Sequence, residues 1–104
     1  AGHYSTATAG NGGTATAGDW GKATAEDYGK ATAGYKGIAT AGDWGTATAG
    51  DWGTATAGDG GTIQIKYYDG NKYRILVGYI GEDGLEPNTP YKVGNGEFVK
   101  AGIE

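Results

Sequence analysis

Side chains able to do chemistry are few in this sequence and poorly placed for it. The single histidine, His3, and the single serine, Ser5, stand near the first residue, and there is no cysteine, so no nucleophile–base pair can be assembled. Glu82, Asp83 and Glu86 are neighbours that could form an acid/base pair or a cation site, yet in a loop rich in Gly and Pro they read as solvated charges. Gly58-Asp59-Gly60-Gly61 has the glycine content of a phosphate-binding loop but lacks the Lys-Ser/Thr ending. Calcium β-rolls repeat with a nonapeptide period, whereas this chain repeats every eight residues. The sequence therefore predicts no catalytic residue, no metal ligand and no cofactor.

What positions every side chain is a tandem repeat. Residues 1–64 divide without insertion into AGHYSTAT, AGNGGTAT, AGDWGKAT, AEDYGKAT, AGYKGIAT, AGDWGTAT, AGDWGTAT and AGDGGTIQ. In each unit Thr-Ala-Thr and the following Ala alternate with period two, so a strand sends Thr to one side and Ala to the other. The intervening G-x-x-G is turn chemistry at a fixed interval. One octad is one strand plus one turn. Such a strand buries too little to fold alone and must stack on identical neighbours ~4.8 Å away. A one-layer antiparallel meander would leave the Ala face without a partner. Two octads per coil instead give a flattened solenoid whose double layer of Ala, Ala7, Ala9, Ala23 and Ala25 among them, lies inside, while Thr hydroxyls line both outer faces.

Residues sixteen apart then stack. One edge carries Tyr4, Trp20, Lys36 and Trp52; the other carries Gly12, Tyr28, Trp44 and Gly60 beside the acidic row Asn11, Asp27, Asp43 and Asp59. Aromatic stacking is expected on both edges. Trp20, Trp44, Trp52, Tyr28, Asp27, Asp43 and Asp59 form the expected interaction edge.

The unit A-G-x-x-[GS]-T-x-T resembles the octapeptide of bacterial ice nucleation proteins, whose repeats also pair into 16-residue coils. The resemblance covers residues 1–64 and implies a β-solenoid with an ice-facing array of Thr pairs, which here would be Thr6/Thr8, Thr14/Thr16, Thr46/Thr48 and Thr54/Thr56. Lys22, Lys30 and Ile38 interrupt the rows. The joining of this repeat to the tail that follows looks like small bacterial and phage repeat proteins, a resemblance that carries no activity with it.

From Thr62 the texture changes. TIQIKYY, DGNK and YRILVGYI read as a hairpin turning at Asp69-Gly70. Ile63, Ile65 and Tyr67 share one face, as do Tyr73, Ile75, Val77 and Tyr79, which predicts a compact apolar layer. After the loop EDGLEPNTP, the segments YKV and EFVK predict a second, weaker hairpin. The expected organisation is a repeat solenoid over 1–64 and a small β cap over 65–104 that hides the last coil's edge. No such cap precedes Ala1, so that edge is expected either to be covered by self-association or to be the growing end of an assembly.

Composition bounds the partners. With 8 basic and 12 acidic residues the chain has a formal charge of −4, which disfavours direct binding to nucleic acid or anionic lipid. No apolar run reaches the ~20 residues of a membrane span, and AGHYSTATAG lacks the charged and apolar regions of a signal peptide. The compartment stays open. The fold class expected is all-β, and the function expected first is a non-catalytic structural or protein-binding module, forming a homo-oligomer or binding another protein. Ice binding through the Thr rows is a second expectation. The third is an acidic mimic of nucleic acid that, if phage-encoded, would occupy a host DNA-binding or defence complex through Asp27, Asp43 and Asp59.

Overall fold

A computed structural model describes residues 6–82, 85–94 and 97–100. It is all-β, with eleven strands and no helix among the described residues: β1 (Thr6–Ala9), β2 (Thr14–Thr16), β3 (Lys22–Ala25), β4 (Lys30–Thr32), β5 (Ile38–Thr40), β6 (Thr46–Ala49), β7 (Thr54–Thr56), β8 (Thr62–Tyr68), β9 (Tyr73–Tyr79), β10 (Tyr91–Gly94) and β11 (Glu97–Lys100). Odd and even repeat strands fall in different sheets. The first sheet runs β1-β3-β5-β7-β10-β11 and the second β2-β4-β6-β8-β9. Within the repeat every pairing is parallel and offset by sixteen residues, as in Ala7↔Ala23, Ala31↔Ala47 and Ala39↔Ala55. Two octads per coil is therefore the geometry of the β-solenoid.

The interior is methyl-filled. Ala15, Ala23, Ala31, Ala39, Ala47 and Ala55 are buried, as are Ala25, Ala33, Ala41, Ala49 and Ala57 at the turns, while the Thr side chains face outward. The slab can be this thin because the turns close tightly. Each turn is held by an N–H from the fifth octad residue to the carbonyl of the second, as in Gly45 to Gly42 at 3.1 Å and Gly53 to Gly50 at 2.9 Å. At Gly37, Gly45, Gly53 and Gly61 an added Cβ would stand 2.6–2.8 Å from the Cβ of an inward Ala and 2.8–3.0 Å from a carbonyl of the coil beneath. These glycines serve close approach.

The left-handed conformation that the G-x-x-G spacing suggests for a glycine falls one residue earlier. Trp20, Tyr28, Lys36, Trp44 and Trp52, the fourth octad residues, have φ of 55–65°, and Gly12 and Gly60 occupy the same position in their octads. A non-glycine residue held there carries of order 1–3 kcal/mol of backbone strain. At Trp20, Tyr28, Lys36 and Trp44 it is sustained by a rung: the N–H of the fourth residue donates to the third residue's carbonyl one coil on, as Trp20 to Tyr35 at 2.7 Å and Trp44 to Asp59 at 2.8 Å.

The tail closes both sheets at one end. β8 begins in coil register with β6, Ala47↔Ile63 and Ala49↔Ile65, and along its whole length, from Thr62↔Tyr79 to Tyr68↔Tyr73, pairs antiparallel with β9. β10 pairs antiparallel with β7 at Tyr91↔Ala55, and β11 pairs with β10. Ile63 and Ile65 replace the inward Ala residues here and meet a wider core of Ile80, Leu85 and Tyr91.

The hairpin's second strand presents the face opposite to the one expected. Tyr73, Ile75, Val77 and Tyr79 point outward and are exposed, because Ile65 lies across from Leu76 and Ile63 across from Gly78. Gly78 leaves the space that Leu85 and Phe98 fill: a Cβ there would stand 2.5 Å from Leu85 Cδ1 and 2.6 Å from Phe98 Cε2. The compact apolar layer is thus built by β8 with the later loop and β11, and β9 contributes little to it.

Asp69 organises the hairpin turn. Its Oδ1 accepts the Lys72 and Asn71 N–H groups, each at 2.8 Å, and its Oδ2 accepts from Arg74 Nε. The Lys72 N–H first, then Arg74 and the Asn71 N–H, hold the carboxyl down at about 2 from an ordinary 3.8. A depressed folded pKa stabilises fully above the unfolded value and is lost as pH falls through the folded one. The melting temperature of the wild type is therefore expected to fall more steeply than that of Asp69→Asn between pH ~4 and ~2, the two curves converging at the acid end. Parallel curves would refute the role.

Candidate functional site

The repeat turns divide the residues of the expected interaction edge between the two edges of the coil. On one edge Trp20, Lys36 and Trp52 follow one another; on the other, Tyr28 and Trp44 stand between Gly12 and Gly60, beside Asp27, Asp43 and Asp59. Tyr4, the expected head of the first row, lies outside the described residues, as do His3, Ser5 and Asp83.

The aromatic rows are built differently from a ring stack. Lys36 Nζ lies 4.7 Å from the Trp20 ring centroid and 5.6 Å from that of Tyr35, and Trp20 meets Tyr35 edge-on at 6.2 Å. On the opposite edge the Trp44 ring lies over Gly60, where an added Cβ would come within 2.6 Å of its Cε3. Ring surface stays in solvent on both edges: Trp20 is 48% and Trp52 71% exposed on one, Trp44 63% and Tyr28 71% on the other.

The acidic residues have an internal task that the sequence does not announce. Asp19 Oδ1 accepts the Tyr35 N–H at 3.0 Å, Asp27 Oδ1 the Asp43 N–H at 3.1 Å, and Asp43 Oδ1 the Asp59 N–H at 3.0 Å. Each ties its turn to the next, so the row Asp27, Asp43, Asp59 is in large part a ladder of side-chain rungs. One carboxylate oxygen of Asp27 and of Asp43 is thereby already engaged. The signal was the strict sixteen-residue spacing of the third octad residue.

The Thr rows are more regular on one line than on the other. Thr6 stacks on Lys22, then Ile38 and Thr54; Thr14 stacks on Lys30, then Thr46 and Thr62. The second line has no such interruption on the first sheet, where Thr8, Thr24, Thr40 and Thr56 follow in register, and on the second sheet Thr16, Thr32 and Thr48 end at Gln64.

The loop carboxylates do not converge. Glu86 pairs with Lys100 at 3.0 Å on the surface, its backbone N–H donates to the Tyr91 hydroxyl at 2.7 Å, and Glu82 is exposed. Among the described residues no three His, Asp or Glu side chains could hold a metal ion, and no helix is long and apolar enough to cross a membrane.

Two features escape the repeat pattern. Tyr73, Ile75, Val77 and Tyr79 make an apolar row on the outer face of β9, the edge strand of its sheet. A cavity of about 680 Å³ opens where the last turn of one edge meets the hairpin, with Asp51, Trp52, Tyr67, Tyr68 and Tyr73 among its walls. Comparison with family models, curated proteins and solved structures gives no match to this chain.

Proposed function

We propose that the chain is a non-catalytic structural module that works by binding protein, in the first place a second copy of itself, through the outer face of β9. The observation that carries this reading is the row Tyr73, Ile75, Val77 and Tyr79, whose members are 43–62% exposed on one face of one strand. Soluble β proteins blunt such edges with charge, Pro or bulges; this strand has Arg74 alone among charged residues and no Pro. Two copies meeting face to face about a two-fold axis would cover both rows at once. The solenoid behind the hairpin supplies rigidity, and the Trp edges remain available for further contacts.

Light scattering over a concentration series is expected to show a dimer mass at tens of micromolar. Val77→Lys, which adds a charge to the row without touching the core, should return the monomer mass with the melting temperature little changed. A monomer for the unaltered chain would remove this reading.

A second reading, ice binding, draws on the uninterrupted line Thr8, Thr24, Thr40 and Thr56, whose hydroxyls repeat at the ~4.8 Å rung spacing. Thermal hysteresis by the purified protein that is lost in Thr24→Lys would establish it in place of the first.

A further inference from the structure

We infer that the cavity at the open end of the Trp52 turn is a binding site for a lysine-bearing turn of a partner protein, held by Asp51 and Trp52. The inference does not rest on the β9 face, with which the cavity shares Tyr73 alone.

It follows from a vacancy in the turn ladder. Three turns, Asp19-Trp20 on this edge and Asp27-Tyr28 and Asp43-Trp44 on the other, use two groups to hold the successor, the third residue's carboxylate and the fourth residue's N–H. Asp19 accepts the Tyr35 N–H at 3.0 Å, and Trp20 donates to the Tyr35 carbonyl at 2.7 Å. The next turn, at Tyr35 and Lys36, is linked to the one above it by the Lys36 N–H on the Asp51 carbonyl at 2.9 Å. Above Asp51 and Trp52 the series stops, because residues 67 and 68, which would form the next turn, continue straight as the end of β8 and pair with β9 at Arg74 and Tyr73. The Asp51 carboxylate and the Trp52 N–H are consequently left without a partner among the described residues. Asp51 and Trp52 both line the cavity.

The chain contains a template for what fits. The Gly34-Tyr35-Lys36-Gly37 turn sits on Asp19 and Trp20 with its lysine left-handed at φ 55° and its ammonium 4.7 Å above the Trp20 ring. Asp51 and Trp52 repeat Asp19 and Trp20 in residue type and in place. An incoming X-Lys turn can therefore give its X N–H to the Asp51 carboxylate, take the Trp52 N–H on its X carbonyl, and lay the lysine ammonium over the Trp52 face. Cation–π attraction and the nearby carboxylate both favour a cation there.

The surroundings leave this pair as the receiving groups. Asp69, the other carboxylate of the cavity, has its oxygens on Arg74 and the hairpin N–H groups. The Tyr73 ring already holds Lys66, whose Nζ is 4.8 Å from the centroid. A volume of about 680 Å³ falls within the ~300–1,000 Å³ of clefts that hold ligands.

The test is a titration of the ¹⁵N-labelled full chain with acetyl-Ala-Gly-Tyr-Lys-Gly-amide, against the same peptide carrying norleucine for lysine. Saturable shifts are expected at the Asp51 and Trp52 amides and the Trp52 indole N–H, with those of Trp20 and Trp44 unmoved. The norleucine peptide should bind about tenfold more weakly, as should the lysine peptide to Asp51→Asn. Trp52→Gly should abolish binding, and because Gly12 and Gly60 fill the same turn position in their octads, that variant is expected to keep the spectrum of the folded coils. Absence of a saturable shift at 20 mM peptide overturns the inference, as does equal affinity for the norleucine peptide or binding that survives both substitutions. A neutral oligosaccharide that moves the Trp52 signals where the lysine peptide does not would assign the cavity to sugar instead.

Discussion

Replacing Gly53 by alanine is expected to destabilise the protein by about 3 kcal/mol, at the upper end of what overpacking a close-packed interior commonly costs. The added methyl would stand 2.6 Å from the Ala49 Cβ and 2.9 Å from the carbonyls of Gly37 and Gly50. None of these can yield by rotating a side chain. Ala49 belongs to the inner layer, the Gly50 carbonyl closes the turn by accepting the Gly53 N–H, and the Gly37 carbonyl accepts the Thr54 N–H that joins two coils. Relief requires moving one coil against the next. The control is Gly10→Ala, where an added Cβ meets nothing within 4 Å and the loss of chain entropy in the unfolded state should leave stability unchanged or raised by ~0.4–1 kcal/mol. Chemical denaturation of the two variants measures the contrast, and equal midpoints would show that the repeat glycine serves no close contact.

The same position shows what can and cannot be read from the sequence. The period of eight and the Thr/Ala alternation were enough to place strands, turns, two-octad coils and the inward Ala, because every octad reports the same pattern. The glycine in the fifth position was legible as a turn residue, yet its cause was not: it keeps a coil close to its neighbour, while the left-handed residue is an aromatic or a lysine that local preference would place elsewhere. Gly12 and Gly60 at that position were the available clue. Substitution by glycine in two octads of a row otherwise holding Trp, Tyr and Lys marks where φ is positive.

The hairpin itself forms as expected, but the buried face of its second strand was misjudged for a different reason. Both faces of YRILVGY carry apolar side chains, so alternation cannot say which is buried; register decides. With Tyr68 opposite Tyr73, Ile65 falls opposite Leu76, and the richer apolar face is driven outward. A strand whose better hydrophobic face is in solvent conflicts with its own burial, and conflicts of this kind concentrate at functional surfaces. The Asp rungs were half legible. Their spacing was visible, but that a carboxylate would cap the next coil's N–H depends on the distance between turns, which only the stacked geometry supplies.

How narrow the interior is can be measured at Ala47. Leucine there is expected to cost about 3 kcal/mol, whereas Thr48→Val, one residue on and facing outward, should change stability by no more than ~0.5 kcal/mol. Ala47 is fully buried and sits in its column between Ala31 and Ile63. The isoleucine does not show that the column has room. Ile63 belongs to the coil where the repeat gives way to the tail, and the core there includes the larger side chains of Ile80, Leu85 and Tyr91. One coil below, the inward neighbours are methyl groups carried on hydrogen-bonded strands, so three extra carbon atoms can enter only by forcing the sheets apart. Because each coil is tied to the next through its turns, separation at Ala47 should weaken the rungs on both sides, and hydrogen exchange should quicken first at the amides of β4 and β6. A leucine variant melting with the wild type, or one whose exchange quickens only in the cap, would mean that the Ala layer holds slack and that the solenoid draws its stability chiefly from its closed end.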